Sequence, residues 1–169
     1  MALCMLSRCS EAWQSSGIAT TTTDRRTAVS EAILNLRLAQ EHAMAIRPKV
    51  GGFPYLAEAL RNAGVIKNVW FLPACESLYL TNKGPVVVQG VPLLTGPADV
   101  PPFDREALIA ALRADQAGDS TFPEFLDAAW RAGVIRYEVD FRQRAVCYHG
   151  CNDEVYMERY QAVALAVRR

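Results

Sequence analysis

The sequence predicts an α+β protein: a pseudo-duplicated helix–helix–β-hairpin unit whose helices pack against an antiparallel sheet. Three observations lead there. The stretch FPYLAEALRNAGVIK beginning at Phe53 returns as FPEFLDAAWRAGVIR beginning at Phe122, 69 positions later. At that offset Phe53/Phe122, Pro54/Pro123, Ala59/Ala128, Ala63/Ala132, Gly64/Gly133, Val65/Val134 and Ile66/Ile135 are identical. Self-similarity of this kind marks one supersecondary unit used more than once. After each glycine the apolar period changes from helical to alternating, the mark of a helix running into a strand. Between the copies, residues 90–103 hold Gly90, Pro92, Gly96, Pro97, Pro101 and Pro102, which suits a connector.

Taken in order, residues 1–26 lack periodicity and include the run Thr20 to Thr23, so they are expected to form a mobile tail. Residues 27–169 are expected to form a single domain of two similar halves, 27–89 and 104–169. A helix from about Thr27 to Arg47 has Val29, Ile33, Leu36, Ala39, Ala43 and Ile46 on one side, and Pro48 stops it. The first Phe-Pro helix has Gly52 as a weak cap, a face of Phe53, Leu56, Ala57 and Leu60, and Gly64 as its stop. A strand from Val65 to Leu72 turns near Pro73-Ala74 and returns through Ser77 to Thr81. Both faces of that hairpin are apolar, which predicts a central place or cover on both sides. Pro85 to Gln89 reads as a third strand.

In the second half, Asp104 caps a helix through about Asp115, with Leu108, Ala111 and Leu112 inward and Gly118 beyond its end. Thr121 and Glu124 form a capping box for the second Phe-Pro helix, whose buried stripe includes Phe122, Phe125, Leu126, Ala129 and Trp130. Tyr137, Val139 and Phe141 then alternate with Arg136, Glu138 and Asp140, and Ala145 to His149 returns. This second hairpin has one wetter face. Val155, Met157 and Tyr160 are assigned to a last helical turn, and Ala162 to Val167 to a closing strand.

Composition narrows the function classes. Lys+Arg and Asp+Glu balance at 18 each, so no long-range field attracts a nucleic acid. No apolar run reaches the length of a membrane span. Five cysteines, Cys4, Cys9, Cys75, Cys147 and Cys151, are odd in number and irregularly spaced, unlike a disulfide framework. A reduced, cytoplasmic setting is expected.

The stretch richest in chemistry is Cys147-Tyr148-His149-Gly150-Cys151. Cys147 and His149 share a strand face, and thiolate with imidazole suits zinc. Cys147, His149 and Cys151 are the metal candidates, but a structural site wants a fourth ligand, which Cys75 or His42 would have to supply. The strand face that carries Cys147 and His149 also presents Glu138 and Asp140, the raw material of nucleophilic catalysis. Alternating charge is also what any solvated hairpin shows, and a cysteine on a strand end serves as a small hydrophobe. No phosphate-cradling loop, nucleophile elbow or HExxH pattern occurs, and no cofactor is implied.

RPKVGGFPYLAEALRNAGV, WFLPACESLYL, LRADQAGDSTFPEFLDAAWRAGVIRYEVDF and the late CYHG resemble the YbcV-like family, small bacterial and prophage-encoded proteins with a domain of unknown function. The likeness spans roughly residues 28 to 168 and rests on caps, helix faces and glycine stops. It implies the fold, a bacterial or prophage setting, and no catalytic residue. The function expected is that of a non-enzymatic binding or assembly module with a protein partner or self-association, without nucleic acid or membrane. The alternatives are a small-molecule enzyme or sensor using Cys147, His149, Glu138 and Asp140, and a zinc-stabilised module.

Overall fold

A computed structural model describes residues 30–165. Each half contributes two helices and three strands. The first half holds α1 (Glu31–Ile46), α2 (Phe53–Asn62), β1 (Val65–Phe71), β2 (Glu76–Thr81) and β3 (Val86–Gln89). The second holds α3 (Arg105–Ala117), α4 (Phe122–Arg131), β4 (Arg136–Asp140), β5 (Ala145–His149) and β6 (Val155–Arg159). All six strands form one antiparallel sheet in the order β3-β2-β1-β4-β5-β6. The α+β class is as the sequence predicts. The unit is larger than a hairpin, because each half adds a third strand.

Local chemistry sets the element ends. The Ser30 hydroxyl accepts from the Ile33 N–H at 3.2 Å, so α1 starts at Glu31. Thr27 to Val29, assigned above to this helix, lie outside the described residues, as do the tail at 1–26 and the end of the expected closing strand. Asp104 Oδ1 accepts from the N–H groups of Glu106 and Ala107 at the start of α3. Gly118 ends that helix in the left-handed region at φ 81°. At α4, Glu124 Oε2 accepts from the Thr121 N–H at 2.6 Å and from its hydroxyl at 2.7 Å.

The halves match beyond their sequence likeness. Shifting Phe53–Asn62 by 69 positions gives Phe122–Arg131, the bounds of α4, whereas β3 and β6 correspond at 70, since Leu78 opposite Val87 matches Cys147 opposite Met157. Three left-handed backbone positions recur at the same offset: Gly64 with Gly133, Cys75 with Arg144, and Gly84 with Asp153. The β1–β4 register obeys it too, since Phe71 opposite Arg136 maps onto Asp140 opposite Lys67. Val69 opposite Glu138 maps onto itself, so a local two-fold axis passes between those residues. Across that axis the Leu72 N–H donates to the Ile135 carbonyl and the Phe141 N–H to the Ile66 carbonyl.

All the helices cover one face of the sheet. Trp70, Tyr79, Val86 and Val88 from the first half join Tyr137, Val139, Phe141, Val146 and Tyr148 from the second in one core. Phe53, Leu56 and Leu60 of α2, Leu108 and Leu112 of α3, and Phe122, Phe125 and Leu126 of α4 close over them. The rings form a row on this side: Trp70 stacks on Tyr137 at 6.2 Å, and Phe122 meets Trp70 edge-on at 5.3 Å.

Three sequence expectations are corrected. Val155 to Arg159 is a strand rather than a helical turn, and Ala162 to Leu165 form no strand. The free edge of β5 supplies backbone partners, and V-Y-M-E-R alternates to suit it. The buried stripe of α1 is Ala32, Leu36, Ala39, Gln40 and Ala43, while Ile33 and Ile46 are only half-buried. Its alanines let the backbone approach closely, so small residues face inward. The first hairpin is central, as expected, and among the described residues no helix covers its second face.

Candidate functional site

That uncovered face carries every strand residue singled out from the sequence. Alternation sends Lys67, Val69 and Phe71 of β1, and Arg136, Glu138 and Asp140 of β4, away from the helices. Reading across the sheet by register gives three rows. The middle row is Val87, Leu78, Val69, Glu138, Cys147 and Met157. On one side lie Leu80, Lys67, Asp140, Ala145 and Arg159, and on the other Gln89, Glu76, Phe71, Arg136, His149 and Val155. The middle row is apolar from edge to edge except at Glu138.

Several of these side chains are left in water. Val87 is 59% exposed, Val155 56%, Met157 53%, and Phe71 and Leu80 38% each. Single exposed hydrophobes are ordinary, but five on one sheet face form a patch.

The charged centre is drawn from three strands. Lys67 Nζ reaches Glu138 Oε2 at 3.0 Å, Arg136 lies 3.5 Å from Glu138 Oε1, and His149 Nε2 3.8 Å from the same oxygen. Burial pushes the Glu138 carboxyl up, but Lys67, His149 and Arg136 outweigh it and leave it below the usual value. Burial lowers His149, Arg136 and Lys67 lower it further, and Glu138 opposes them, so the imidazole stays below its ordinary value.

The sequence candidates are therefore partly gathered. Glu138 and Cys147 are register partners, as are Arg136 and His149. Asp140 is turned to other work: its Oδ1 accepts from the N–H groups of Arg142 and Gln143 in the β4–β5 turn. Cys151 is exposed beyond β5, and His42 is exposed on α1. Cys75 is buried in the β1–β2 turn with its thiol directed to the Leu72 carbonyl. Among the described residues, no three His, Cys, Asp or Glu side chains gather in a way that could hold a metal. A cavity of about 250 Å³ sits at the β6 edge, lined by Phe53, Pro54, Gln116, Val146, Glu158 and Tyr160 among others, and neither Cys147 nor His149 borders it.

Lys67 was missed from the sequence, although it is the nearest partner of Glu138. Its match with Arg136 at the 69-residue offset was the available signal, since it puts both cations beside one axis. The expectation of a central place or cover on both sides left open whether the apolar row faces water.

Residues 42–159 match the family described as "Protein of unknown function (DUF1398)". The chain belongs to that family. The match takes in α2 to β6 and so the whole open face. Relatives include "Uncharacterized protein Rv2012" and "Uncharacterized protein MT2067" of Mycobacterium tuberculosis and "Uncharacterized protein Mb2035" of Mycobacterium bovis. Each is 58% identical over 135 residues, covering 80% of this chain and 82% of the relative. These descriptions assign no activity to the DUF1398 fold. No helix among the described residues is long and apolar enough to cross a membrane.

Proposed function

We propose that the protein is a non-enzymatic binding or assembly module that works through the open face of its sheet. One observation carries the reading: an apolar row from Val87 to Met157, exposed at both ends, half-buried at Leu78, Val69 and Cys147, and broken only by a Glu138 already neutralised by its own neighbours. A patch of that kind, rimmed by polar residues, is the usual mark of a protein-docking surface. Zero net charge favours a protein over a nucleic acid as the partner.

The same residues support catalysis less well. Glu138 is shared among Lys67, Arg136 and His149, and Asp140 is held by its turn, so no carboxylate is reserved to orient His149 toward Cys147. The proposal includes a single domain descended from a doubled unit, supported by the correspondences 69 residues apart. It also includes a reducing, cytoplasmic setting, supported by the free thiols of Cys75, Cys147 and Cys151. The YbcV-like motifs support a bacterial, prophage-associated origin.

Carbene footprinting in producing cells tests the reading. Phe71, Leu80, Val87 and Met157 are expected to be protected relative to dilute purified protein. Equal labelling in both conditions would contradict it.

A further inference from the structure

We propose that the occupant of the open face is a second copy of this chain, docked face to face about a two-fold axis parallel to the strands. The inference rests on the docking reading above and names its partner. A two-fold contact must be self-complementary, and the rows of this face allow an axis parallel to the strands to be compared with one perpendicular to them.

An axis parallel to the strands lays β1 over β4, β2 over β5 and β3 over β6 of the second copy. Lys67 then faces Asp140 of the second copy, and Glu76 faces its His149. Phe71 meets the guanidinium of its Arg136, a favourable cation–ring pairing. Leu78 lies against its Cys147, and Val87 against its Met157. Glu138 comes over Val69, its charge already answered by Lys67 and Arg136 in its own sheet. An axis perpendicular to the strands instead stacks Glu138 on Glu138 and Leu80 on Glu76. The perpendicular axis also pairs Arg136 with Asp140 and Phe71 with Lys67, but of the two only the parallel axis keeps every carboxylate off its counterpart in the second copy.

The size of the face sets the strength. Six strands at a spacing of about 4.8 Å and five residues at about 3.3 Å give a footprint of roughly 500 Å² per copy. About 1,000 Å² over both copies falls just below the usual range of roughly 1,200–2,000 Å² for stable interfaces. A reversible dimer with a dissociation constant in the micromolar range is expected.

Light scattering and sedimentation of the full chain, from about one to several hundred micromolar, test this. The mass should rise toward two chains. Val87→Glu alone and Met157→Lys alone should each hold it at one chain, with unchanged circular dichroism. The double variant should dimerise again, because the introduced carboxylate of one copy then faces the introduced ammonium of the other. Within one chain these two positions lie on opposite edges of the sheet and cannot pair. Three results would each overturn the proposal: a single-chain mass throughout, a dimer indifferent to Val87→Glu, or a double variant that stays monomeric. A monomer whose face is protected in cells would overturn the second copy as occupant and leave the docking reading standing.

Discussion

At positions 69 residues apart, β1–β2 and β4–β5 keep one backbone but differ in much of what they present to water. Val69 and Phe71 of β1 correspond to Glu138 and Asp140 of β4, and Leu78 and Leu80 of β2 to Cys147 and His149 of β5. On the helix side Val65 with Val134, Leu72 with Phe141, and Tyr79 with Tyr148 are all buried, and where the second half has Tyr137 and Val146 the first has Asn68 and Ser77, buried and hydrogen-bonded to each other. Folding therefore constrains one face in both halves alike, because every core position must fill space and every buried polar group must find a partner. The open face is under no such demand, and the exposed Phe71, Leu80 and Val87 of its first half call for a reason outside folding.

The sharpest way to separate the halves is at their paired glycines. Gly133 has φ 79°, and an added Cβ there would lie 2.5 Å from the Pro102 carbonyl oxygen and 2.6 Å from Phe103 Cα. Gly64 has φ 88° but meets only the end of the Asn82 side chain, which can swing away. Gly133→Ala is expected to cost about 3 kcal/mol or more, adding a backbone clash to left-handed strain. Gly64→Ala should cost about 1–2 kcal/mol, strain alone. Urea denaturation of the two variants checks the difference, and equal losses would break the comparison.

A smaller effect tests the caps. Thr121→Ala should lower stability by about 1 kcal/mol, and Thr121→Ser should restore most of it. The first copy has Gly52 at the matching position and no side chain to lose. Thermal unfolding of both variants reads this directly.

The smallest effect concerns pH. Because His149 is held below its ordinary value of 6.5, the unfolded chain binds a proton that the folded one resists. Its contribution is complete above that pH and falls as pH drops through the window beneath it. His149→Gln should flatten the stability profile below pH 6.5. Leu80, which stands at the matching place in the first half, has nothing to titrate.

Much of this was legible in the sequence because it rests on short-range chemistry. Thr121 and Glu124, Gly118 and Gly133 announce caps and stops, and the alternation from Arg136 to Phe141 announces a strand and its two faces. Val155 to Arg159 was misread because an edge strand takes its meaning from the neighbour it pairs with. Whether the apolar row faces water was left open for a related reason. Leu78 and Leu80 look the same whether a helix covers them or not, and only the placement of all four helices on one side decides it. The meeting of Glu138, His149 and Lys67 depends on β1 pairing with β4 across 71 residues of chain.

The central claim is that the exposed apolar side chains of this face serve association and not the core. The triple variant Leu80→Ser, Val87→Ser and Met157→Ser tests it, with melting temperature and solution mass measured on the same sample. A melting temperature within a few degrees of the parent, together with loss of association, is the predicted result. A collapse of the cooperative transition, or association that persists unchanged, would contradict it.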